Sequence, residues 1–285
     1  MRYKFFVVIT FVFISSSFAQ ITVLTDSLFS PSINAYEKIM VVLPDGYNAS
    51  QERYLTVYLL HGYGGDYTNW VKLTDLMSNL KDYHYIVVCP DAKNSWYTNS
   101  TGLKNANYED LIMKDVIPFV DKKYRTKPTK FNRAIAGLSM GGYGAVKFGL
   151  KYPGQFFFAG GLSPAIQFPA GIEDTASFLL RSKESIKSIT EMFGEKRNDS
   201  WKTNDVFDLL NSANQKTLPY FYLSVGSHDG IVEIIDLTHR FASALRKKDA
   251  AFELHEVPGE HSWKLWDNEI KIVLERIAEI SGKKQ

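Results

Sequence analysis

The sequence predicts a doubly wound α/β domain built on a mostly parallel sheet. Short runs of β-branched and aromatic residues alternate along the chain with amphipathic helical patterns, which is typical of parallel strands joined by crossover helices. Several of these runs are apolar throughout, as strands covered by helices on both faces require. One polar stretch without strand signals, residues 164–219, interrupts the alternation.

Six apolar runs are predicted to be strands of this sheet. They lie at residues 54–60, 85–89, 133–136, 156–162, 220–225 and 252–257. An earlier extended segment, residues 36–43, is predicted to pair antiparallel at one edge. Helices are predicted between the strands at residues 108–124, 141–151, 234–248 and 268–280, where apolar residues recur at helical spacing.

The polar stretch at residues 164–219 is predicted to be an insertion with helical pieces near residues 175–181 and 183–193. In an α/β sheet, an insertion after a central strand lies over the carboxyl edge, where ligands bind. We therefore expect a cap over a site; a surface excursion without a role is the alternative. No repeat, low-complexity tract or linker divides the chain, so residues 20–285 are expected to form a single domain.

The first 19 residues have the order of a secretory signal peptide. Arg2 and Lys4 precede an apolar run at residues 5–14, and small residues follow up to Ala19. We expect cleavage after Ala19 and a secreted or periplasmic protein; a buried N-terminal helix or strand is the alternative. The apolar run is shorter than the roughly 20 residues that a membrane span needs, so no span is predicted.

Charge and cysteine content narrow the possible partners and the source of stability. Beyond residue 19 the chain carries equal numbers of basic and acidic side chains, so neither nucleic acid nor an anionic surface is expected as a partner. Cys89 is the single cysteine, which excludes an intramolecular disulfide. Stability must therefore come from a large hydrophobic core.

The sharpest local signal is the string GLSMG at residues 137–141. It follows a predicted strand and opens a predicted helix, which is the context of a nucleophile elbow. Such a turn strains the backbone of Ser139, projects its hydroxyl above the sheet and leaves no room for side chains at the flanking glycines. The alternative is that Ser139 is a helix N-cap. The context favours the elbow, and Ser139 is the candidate nucleophile.

A serine nucleophile needs a base, and the base needs an acid that orients it. In α/β-hydrolases, which carry this elbow, the order along the chain is serine, acid, histidine. Asp229 lies one loop beyond the predicted strand at residues 220–225, and His261 lies one loop beyond that at residues 252–257. We therefore predict His261 as general base and Asp229 as its orienting acid.

Three nearby residues are alternatives for these two roles. His228 could replace His261 as the base, but it directly precedes Asp229, and adjacent residues rarely turn their side chains towards each other. Asp236 and Glu233 could replace Asp229 as the acid. Both fall in or beside the helix that follows, where a solvent-exposed charge is the simpler explanation.

The string HGYGG at residues 61–65 follows the predicted strand at residues 54–60. Acyl transfer needs two backbone N–H donors for the oxyanion, one after the nucleophile and one from a loop after an early strand. Met140 and Tyr63 are the candidates. Glycine-rich loops also form ordinary turns or bind phosphate, but neither P-loop nor dinucleotide spacing is present. No metal or organic cofactor is implied.

Five motifs together resemble the esterase D group of α/β-hydrolases. They are HGYGGDYTNW, VVCPDAKNSWYTN, GLSMGGYGAVKFGLKYP, VGSHD and PGEHSWKLW, and the resemblance runs from about residue 36 to residue 277. The group includes feruloyl and acetyl xylan esterases of carbohydrate esterase family one, S-formylglutathione hydrolases, tributyrin-type esterases and mycolyltransferases. The resemblance implies the α/β-hydrolase fold. It also places Ser139, Asp229 and His261 in a catalytic triad, and the amides of Tyr63 and Met140 in an oxyanion hole.

The resemblance and the signal peptide together imply a secreted serine esterase that acts on acyl esters of plant polysaccharide, such as feruloyl or acetyl xylan. The expected partner is a small-molecule or oligosaccharide ester, and the oligomeric state is left open. Trp96, Tyr97 and Trp263 are predicted to contact substrate, with core packing as the alternative, favoured for Trp263. Acyl transfer to a sugar or lipid hydroxyl, and a non-enzymatic binding role, are the alternative functions.

Overall fold

One sheet of eight strands organises the part of the chain that the structure describes. The computed structural model describes residues 21–173 and 182–282. The strands are β1 (Thr22–Ser30), β2 (Ala35–Leu43), β3 (Leu55–Leu60), β4 (Tyr85–Pro90), β5 (Arg133–Leu138), β6 (Phe158–Leu162), β7 (Tyr220–Gly226) and β8 (Phe252–Val257). Their order across the sheet is β1-β2-β4-β3-β5-β6-β7-β8. All six predicted apolar strands are present.

The sheet is mostly parallel. Strands β3 to β8 run parallel to their neighbours within that set, and β2 is antiparallel to both β1 and β4. The predicted parallel α/β sheet is therefore confirmed, as is the antiparallel pairing of residues 36–43. The predicted edge position of that segment is wrong, because β1 pairs with β2 along its whole length and forms the edge itself.

Ten α-helical segments lie between and beside the strands in the described ranges. They are α1 (Asn69–Lys72), α2 (Leu76–Asn79), α3 (Tyr108–Asp110), α4 (Ile117–Lys123), α5 (Met140–Lys151), α6 (Lys183–Phe193), α7 (Asp199–Lys202), α8 (Val206–Ser212), α9 (Val232–Lys247) and α10 (Trp263–Ile280). A π-helical segment, Leu111–Val116, joins α3 to α4, so a continuous helical stretch occupies the range predicted at residues 108–124. Among the described residues, none of the helices combines the length and apolar character needed to cross a membrane.

Hydrophobic clusters cover both faces of the sheet. Along β3, Tyr58 and Leu60 join one cluster, while Val57 and Leu59 join the other, as alternation along a strand requires. Helices α4, α5 and α9 contribute to the first cluster, and α1, α2 and α10 contribute to the second. This two-sided burial explains why the central strands are apolar throughout.

Cys89 lies on β4 within the second of these clusters. Every residue of β4 is buried, and Cys89 itself is 1% exposed. Burial raises the pKa of its thiol, because the charged thiolate would lose its hydration in the core. The folded protein therefore keeps this thiol protonated and shielded from solvent.

The described parts of the insertion, residues 164–173 and 182–219, are attached to α5 and to the loop after β4. Helix α6 lies where residues 183–193 were predicted to be helical; the helix predicted near residues 175–181 lies outside the described residues. The indole of Trp96 donates to Ser188 Oγ on α6 at 2.9 Å. The hydroxyl of Tyr143 on α5 donates to the carbonyl of Asn204 at 2.8 Å. That the insertion caps the site stays a prediction.

Candidate active site

Ser139 occupies the sharp turn between β5 and α5. Its backbone has φ 52° and ψ −117°, a conformation that costs energy for a residue with a side chain. The turn is held by a hydrogen bond from Ser139 N to Leu162 O at 2.8 Å. The side chain makes no capping hydrogen bond to α5, so the helix-cap alternative is excluded. The hydroxyl is free to face the cleft, as a nucleophile elbow requires.

The two glycines that flank the elbow mark places where backbones meet directly. A Cβ atom at Gly137 would lie 2.4 Å from Gly141 O, and one at Gly141 would lie 2.4 Å from Leu60 O. Real Cβ atoms do not approach backbone oxygen this closely. The glycines of GLSMG therefore allow β3, β5 and the start of α5 to pack together beneath Ser139.

His261 lies between Ser139 and Asp229. Its Nδ1 is 2.8 Å from Asp229 Oδ2, and its Nε2 is 3.0 Å from Ser139 Oγ. An ionised carboxylate can only accept, so the proton on His261 belongs on Nδ1. Nε2 is then free to accept the Ser139 hydroxyl proton. The structure thus brings together the three residues that the sequence predicts, in the predicted order of contact.

Neighbouring loops hold the acid and the histidine in place. The Asp229 side chain is fully buried, and its Oδ1 accepts a hydrogen bond from Ile231 N at 2.9 Å. The loop after β7 is tied to the loop after β8 by His228 N, which donates to Gly259 O at 2.9 Å. The Trp266 and His261 rings meet edge to face, with centroids 4.9 Å apart. These contacts restrict the positions that His261 can adopt.

The alternative base and acids lie elsewhere. His228 is exposed, and its Nδ1 is 3.0 Å from the hydroxyl of its neighbour Ser227. The Asp236 side chain is 70% exposed and pairs with Arg240 one turn along α9. Glu233 lies in the first turn of α9. The carboxylate bonded to His261 is that of Asp229.

The loop after β3 borders Ser139 from the other side. A side-chain carbon at Gly62 would lie 3.5 Å from Ser139 Cβ, and Tyr63 lines the same cleft as Ser139. Met140 is the first residue of α5, where a backbone N–H has no acceptor within the helix. Tyr63 therefore lines the same cleft as Ser139, and Met140 follows Ser139 directly along the chain.

The cleft around Ser139 has a volume of about 650 Å³. The loops after β3, β5 and β8 border it, and much of its wall is apolar. The lining residues are Gly62, Tyr63, Gly64, Gly65, Asn69, Leu73, Leu138, Ser139, Ile231, His261, Ser262, Trp263 and Trp266. No residue of the described part of the insertion is among them. Leu73 and Ile231 were not predicted from the sequence to line the cleft. The position of Ile231, two residues after Asp229, was the one feature of the sequence that could have indicated it.

Trp263 lines the cleft, and it also packs on other rings. Its ring meets Trp70 and Trp266 edge to face, at centroid distances of 5.7 and 5.4 Å. Substrate contact and core packing were offered as alternatives for this residue. The ring contacts confirm the packing, whereas contact with substrate stays a prediction for a residue that lines the cleft.

The predicted substrate contacts of Trp96 and Tyr97 are wrong. Their exposed fractions are 1% and 0%, so neither can touch a ligand in the cleft. The Tyr97 hydroxyl donates to His61 O at 2.9 Å, and the Trp96 indole packs against Phe168 with ring centroids 4.9 Å apart. Both residues have positive φ, and both side chains are buried beneath the loop after β4. Their role is to support that loop.

A parallel sheet with a strained serine after β5 and a histidine after the last strand is the arrangement of the α/β-hydrolases, and the chain has this fold. Solved structures agree. The fluorophosphonate-binding serine hydrolase F (FphF) of Staphylococcus aureus aligns with a TM-score of 0.79 over 90% of this chain and 98% of that chain, at 23% identity.

In the residues described, no group of three or more His, Cys, Asp or Glu could hold a metal ion.

The chain belongs to the Esterase family, described as "putative esterase", whose model matches residues 30–276. An acetyl esterase from Caldicellulosiruptor saccharolyticus is 26% identical over 238 residues, which are 82% of this chain and 87% of that protein. An endo-1,4-beta-xylanase/feruloyl esterase from Xylanibacter ruminicola is 34% identical over 161 residues, 52% of this chain but 22% of that protein. The diacylglycerol acyltransferase/mycolyltransferase Ag85B of Mycobacterium leprae is 26% identical over 205 residues, which are 67% of this chain and 60% of that protein. The predicted class, a carboxylic ester hydrolase of this group, is confirmed.

Proposed function

We propose that the protein is a secreted serine esterase that hydrolyses acyl esters of plant polysaccharide, such as feruloyl or acetyl xylan. The observation that carries the mechanism is the hydrogen-bonded series from Asp229 through His261 to Ser139 at the floor of a cleft. Secretion is proposed from the signal-peptide order of residues 1–19, which lie outside the described residues.

The proposed chemistry is a two-step acyl transfer. Ser139 Oγ attacks the ester carbonyl carbon while His261 Nε2 takes the hydroxyl proton. The bond from that carbon to the alcohol oxygen then breaks, and His261 returns the proton to the leaving alcohol. Water, deprotonated by the same histidine, then attacks the acyl carbon; the bond from that carbon to Ser139 Oγ breaks, His261 returns the proton to Oγ, and the carboxylic acid leaves. Asp229 keeps the tautomer of His261 fixed and stabilises its cationic form.

The backbone amides of Tyr63 and Met140 are proposed to hold the oxyanion. Negative charge develops on the carbonyl oxygen as Ser139 attacks, and fixed N–H donors stabilise it more in the transition state than in the ground state. Both residues border Ser139, one on the loop after β3 and one at the start of α5. Two donors from different elements would enclose one oxygen.

The proposed acyl group occupies the main cleft. Leu73, Ile231 and Trp263 give this cleft an apolar wall, and a volume of about 650 Å³ is ample for a hydroxycinnamoyl group. The names of two relatives, an acetyl esterase and an endo-xylanase/feruloyl esterase, support the same substrate class. Aromatic acyl groups pack well against an indole.

A second groove is proposed to hold the sugar on the alcohol side of the ester. It has a volume of about 360 Å³ and shares Tyr63 with the main cleft. The two are also joined by Gly64 N, which donates to Asn94 Oδ1 in the second groove at 2.7 Å. Tyr108 and Lys187 contribute a ring and a cation to its lining. Ring faces and hydrogen-bonding groups are what a sugar needs for recognition.

The substrate proposal is tested by hydrolysis assays on purified residues 20–285. Methyl ferulate and acetylated xylan are compared with p-nitrophenyl acetate and butyrate, with Ser139→Ala as the control. We expect serine-dependent release of ferulate or of acetate from xylan. Serine-dependent activity confined to the p-nitrophenyl esters would reject the polysaccharide substrate while keeping the esterase. Loss of serine dependence on every ester would reject the hydrolase mechanism and favour a binding role.

The second groove is tested by changing Tyr108. Tyr108→Ala is expected to lower kcat/KM for a feruloylated arabinoxylo-oligosaccharide by about 2- to 12-fold, since an aromatic contact contributes about 0.5–1.5 kcal/mol. Methyl ferulate, which has no sugar, should be hydrolysed as by the wild type. Tyr108→Phe keeps the ring face and serves as the matched control. Equal losses on the methyl ester and the oligosaccharide ester would place the sugar elsewhere.

Acyl transfer to a sugar or lipid hydroxyl is the second candidate function. The similarity to the acyltransferase Ag85B favours it, and the same three residues would form the acyl-enzyme. The two reactions differ in whether water or an alcohol attacks that intermediate. Adding an alcohol acceptor to the ester assay and measuring the ratio of new ester to free acid separates them.

A further inference from the structure

His61 lies directly before the proposed oxyanion loop, and its ring bonds to two backbone groups. Its Nδ1 is 2.8 Å from Gly62 O, and its Nε2 is 3.1 Å from Ala92 N. A carbonyl oxygen accepts and an amide N–H donates, so Nδ1 carries the proton and Nε2 accepts. Asp91 Oδ1 lies 3.7 Å from Nε2, too far for a hydrogen bond. The two ring bonds therefore define one tautomer of His61.

The bond from His61 fixes more than the Gly62 carbonyl. That carbonyl and the Tyr63 N–H belong to one peptide unit, which is planar and trans, so the two groups point in opposite directions. Gly65 N also donates to Gly62 O, at 3.1 Å. With its carbonyl held by His61 and Gly65, the peptide directs the Tyr63 N–H away from both. Ser139 borders the loop at this peptide.

We propose that His61 is a positioning residue that aims the Tyr63 amide at the oxyanion. The proposal rests on the oxyanion role of Tyr63 given under the proposed function. His61 does not reach substrate, since it is 1% exposed and is not among the residues that line the cleft. It acts through the orientation of one peptide bond.

Two residues of the loop after β4 hold His61 in place, one through its backbone and one through its ring. Tyr97 is fully buried and its hydroxyl donates to His61 O at 2.9 Å. Ala92 N holds the far side of the ring. Both partners lie on the loop after β4, so this loop and the oxyanion loop are joined at His61, by one bond to its imidazole and one to its backbone carbonyl. An ordinary core histidine would affect stability alone, whereas a positioning residue must affect the transition state more than the bound substrate.

Asn and Gln at position 61 separate the two ring bonds. In His61→Asn the amide nitrogen lies near the place of Nδ1 and can still donate to Gly62 O. In His61→Gln the amide lies near the place of Nε2, so an acceptor for Ala92 N is kept and the donor to Gly62 is lost. The structure contains a surface histidine, His239, whose side chain is 45% exposed; His239→Gln is the matched control.

We expect His61→Gln to lower kcat/KM for p-nitrophenyl acetate by about 10- to 100-fold, since losing one oxyanion donor costs about 10²- to 10³-fold. The loss should fall in kcat, with KM little changed. His61→Asn should stay within about threefold of the wild type. An arylboronic acid, which forms a tetrahedral anion on a nucleophilic serine, should bind His61→Gln more weakly by a similar factor and His61→Asn normally.

Two results would overturn the proposal. One is an equal loss in the Asn and Gln variants; the other is a loss in His61→Gln with unchanged boronic acid affinity. If the Gln variant does not fold, His61→Asn decides alone, because a tenfold loss of kcat/KM at an unchanged melting temperature contradicts the role. Wild-type activity that requires Ser139 is measured in the same assay, so failure here is distinguished from failure of the proposed function.

Discussion

Replacing Ser139 by Ala is expected to lower kcat for ester hydrolysis by about 10⁴-fold or more. Without the hydroxyl no acyl-enzyme forms, and the remaining catalysis comes from the oxyanion donors and substrate binding alone. Initial rates on the best ester of the panel measure the effect. Ala removes a side chain at a strained turn, so the folding of the variant must be checked. Circular dichroism and the melting temperature provide that check.

The matched control is Ser227→Ala, which removes a hydroxyl near the site. Ser227 Oγ is 3.0 Å from His228 Nδ1 and takes no part in the contacts of His261. The Ser227→Ala variant should hydrolyse the same ester with the kcat of the wild type. If Ser139→Ala kept more than about 1% of the wild-type kcat, Ser139 would not be the nucleophile.

The three residues should act as one unit. His261→Ala is expected to lower kcat about as far as Ser139→Ala, and the double variant should be no slower than either single variant, because both remove the same step. Asp229→Asn should cost about 10⁴-fold, since an amide favours the wrong tautomer of His261. Independent, multiplying effects of Ser139→Ala and His261→Ala would contradict the hydrogen-bonded series in the structure.

Lys147→Met is expected to lower the free energy of unfolding by about 3–5 kcal/mol. The Lys147 side chain is fully buried on α5. Four acceptors lie within hydrogen-bond distance of its ammonium nitrogen, namely Tyr97 O at 2.6 Å, Thr98 Oγ1 at 2.8 Å, Glu109 Oε2 at 3.1 Å and Asn204 Oδ1 at 3.2 Å. Met fills the same space but leaves the buried Glu109 carboxylate with less compensation. Urea denaturation at pH 7 measures the loss.

Lys151→Met is the matched control on the same helix. Lys151 also pairs with Glu109, at 2.8 Å, but its side chain is 25% exposed. Water replaces part of that contact, so the expected loss is about 1 kcal/mol or less. Equal losses in Lys147→Met and Lys151→Met would show that burial of the ammonium group is not what matters.

The same cluster sets an acid limit on stability. Burial opposes ionisation of Glu109, but Lys147, Lys151 and the Tyr152 hydroxyl outweigh it and lower the pKa of the carboxyl from 4.5 to about 2. The folded state then binds this proton less readily than the unfolded state. The stabilisation is therefore present above pH 4.5 and is lost as the pH falls towards 2. In Glu109→Gln the free energy of unfolding should fall less steeply over that range.

The strands and the triad could be predicted because each depends on local patterns. Apolar runs identify strands that are buried on both faces, and loops at the carboxyl ends of parallel strands meet at one edge. Ser139, Asp229 and His261 lie on three such loops. β1 was missed because it is an edge strand whose residues at 22–27 alternate between exposed and half-buried positions, with no apolar run to signal it.

Side-chain direction could not be predicted in the same way. Trp96 and Tyr97 follow the predicted strand at residues 85–89, and in the structure they lie on the loop after β4. Both residues have positive φ and buried rings, and nothing in the residue types indicates this conformation. The same limit applies to His61. Its place in the HGYGG motif can be read from the sequence, but its bond to the Gly62 carbonyl depends on the rotamer of the side chain.

The seclusion of Cys89 makes the protein suited to single-site labelling. The sequence contains no other thiol, and burial within β4 keeps this one protonated and out of reach of reagents. A cysteine introduced at the cleft wall, as in Leu73→Cys, would then be the one reactive thiol of the folded protein, because Leu73 is 48% exposed. A fluorophore attached there would report substrate entry with the native cysteine left in place.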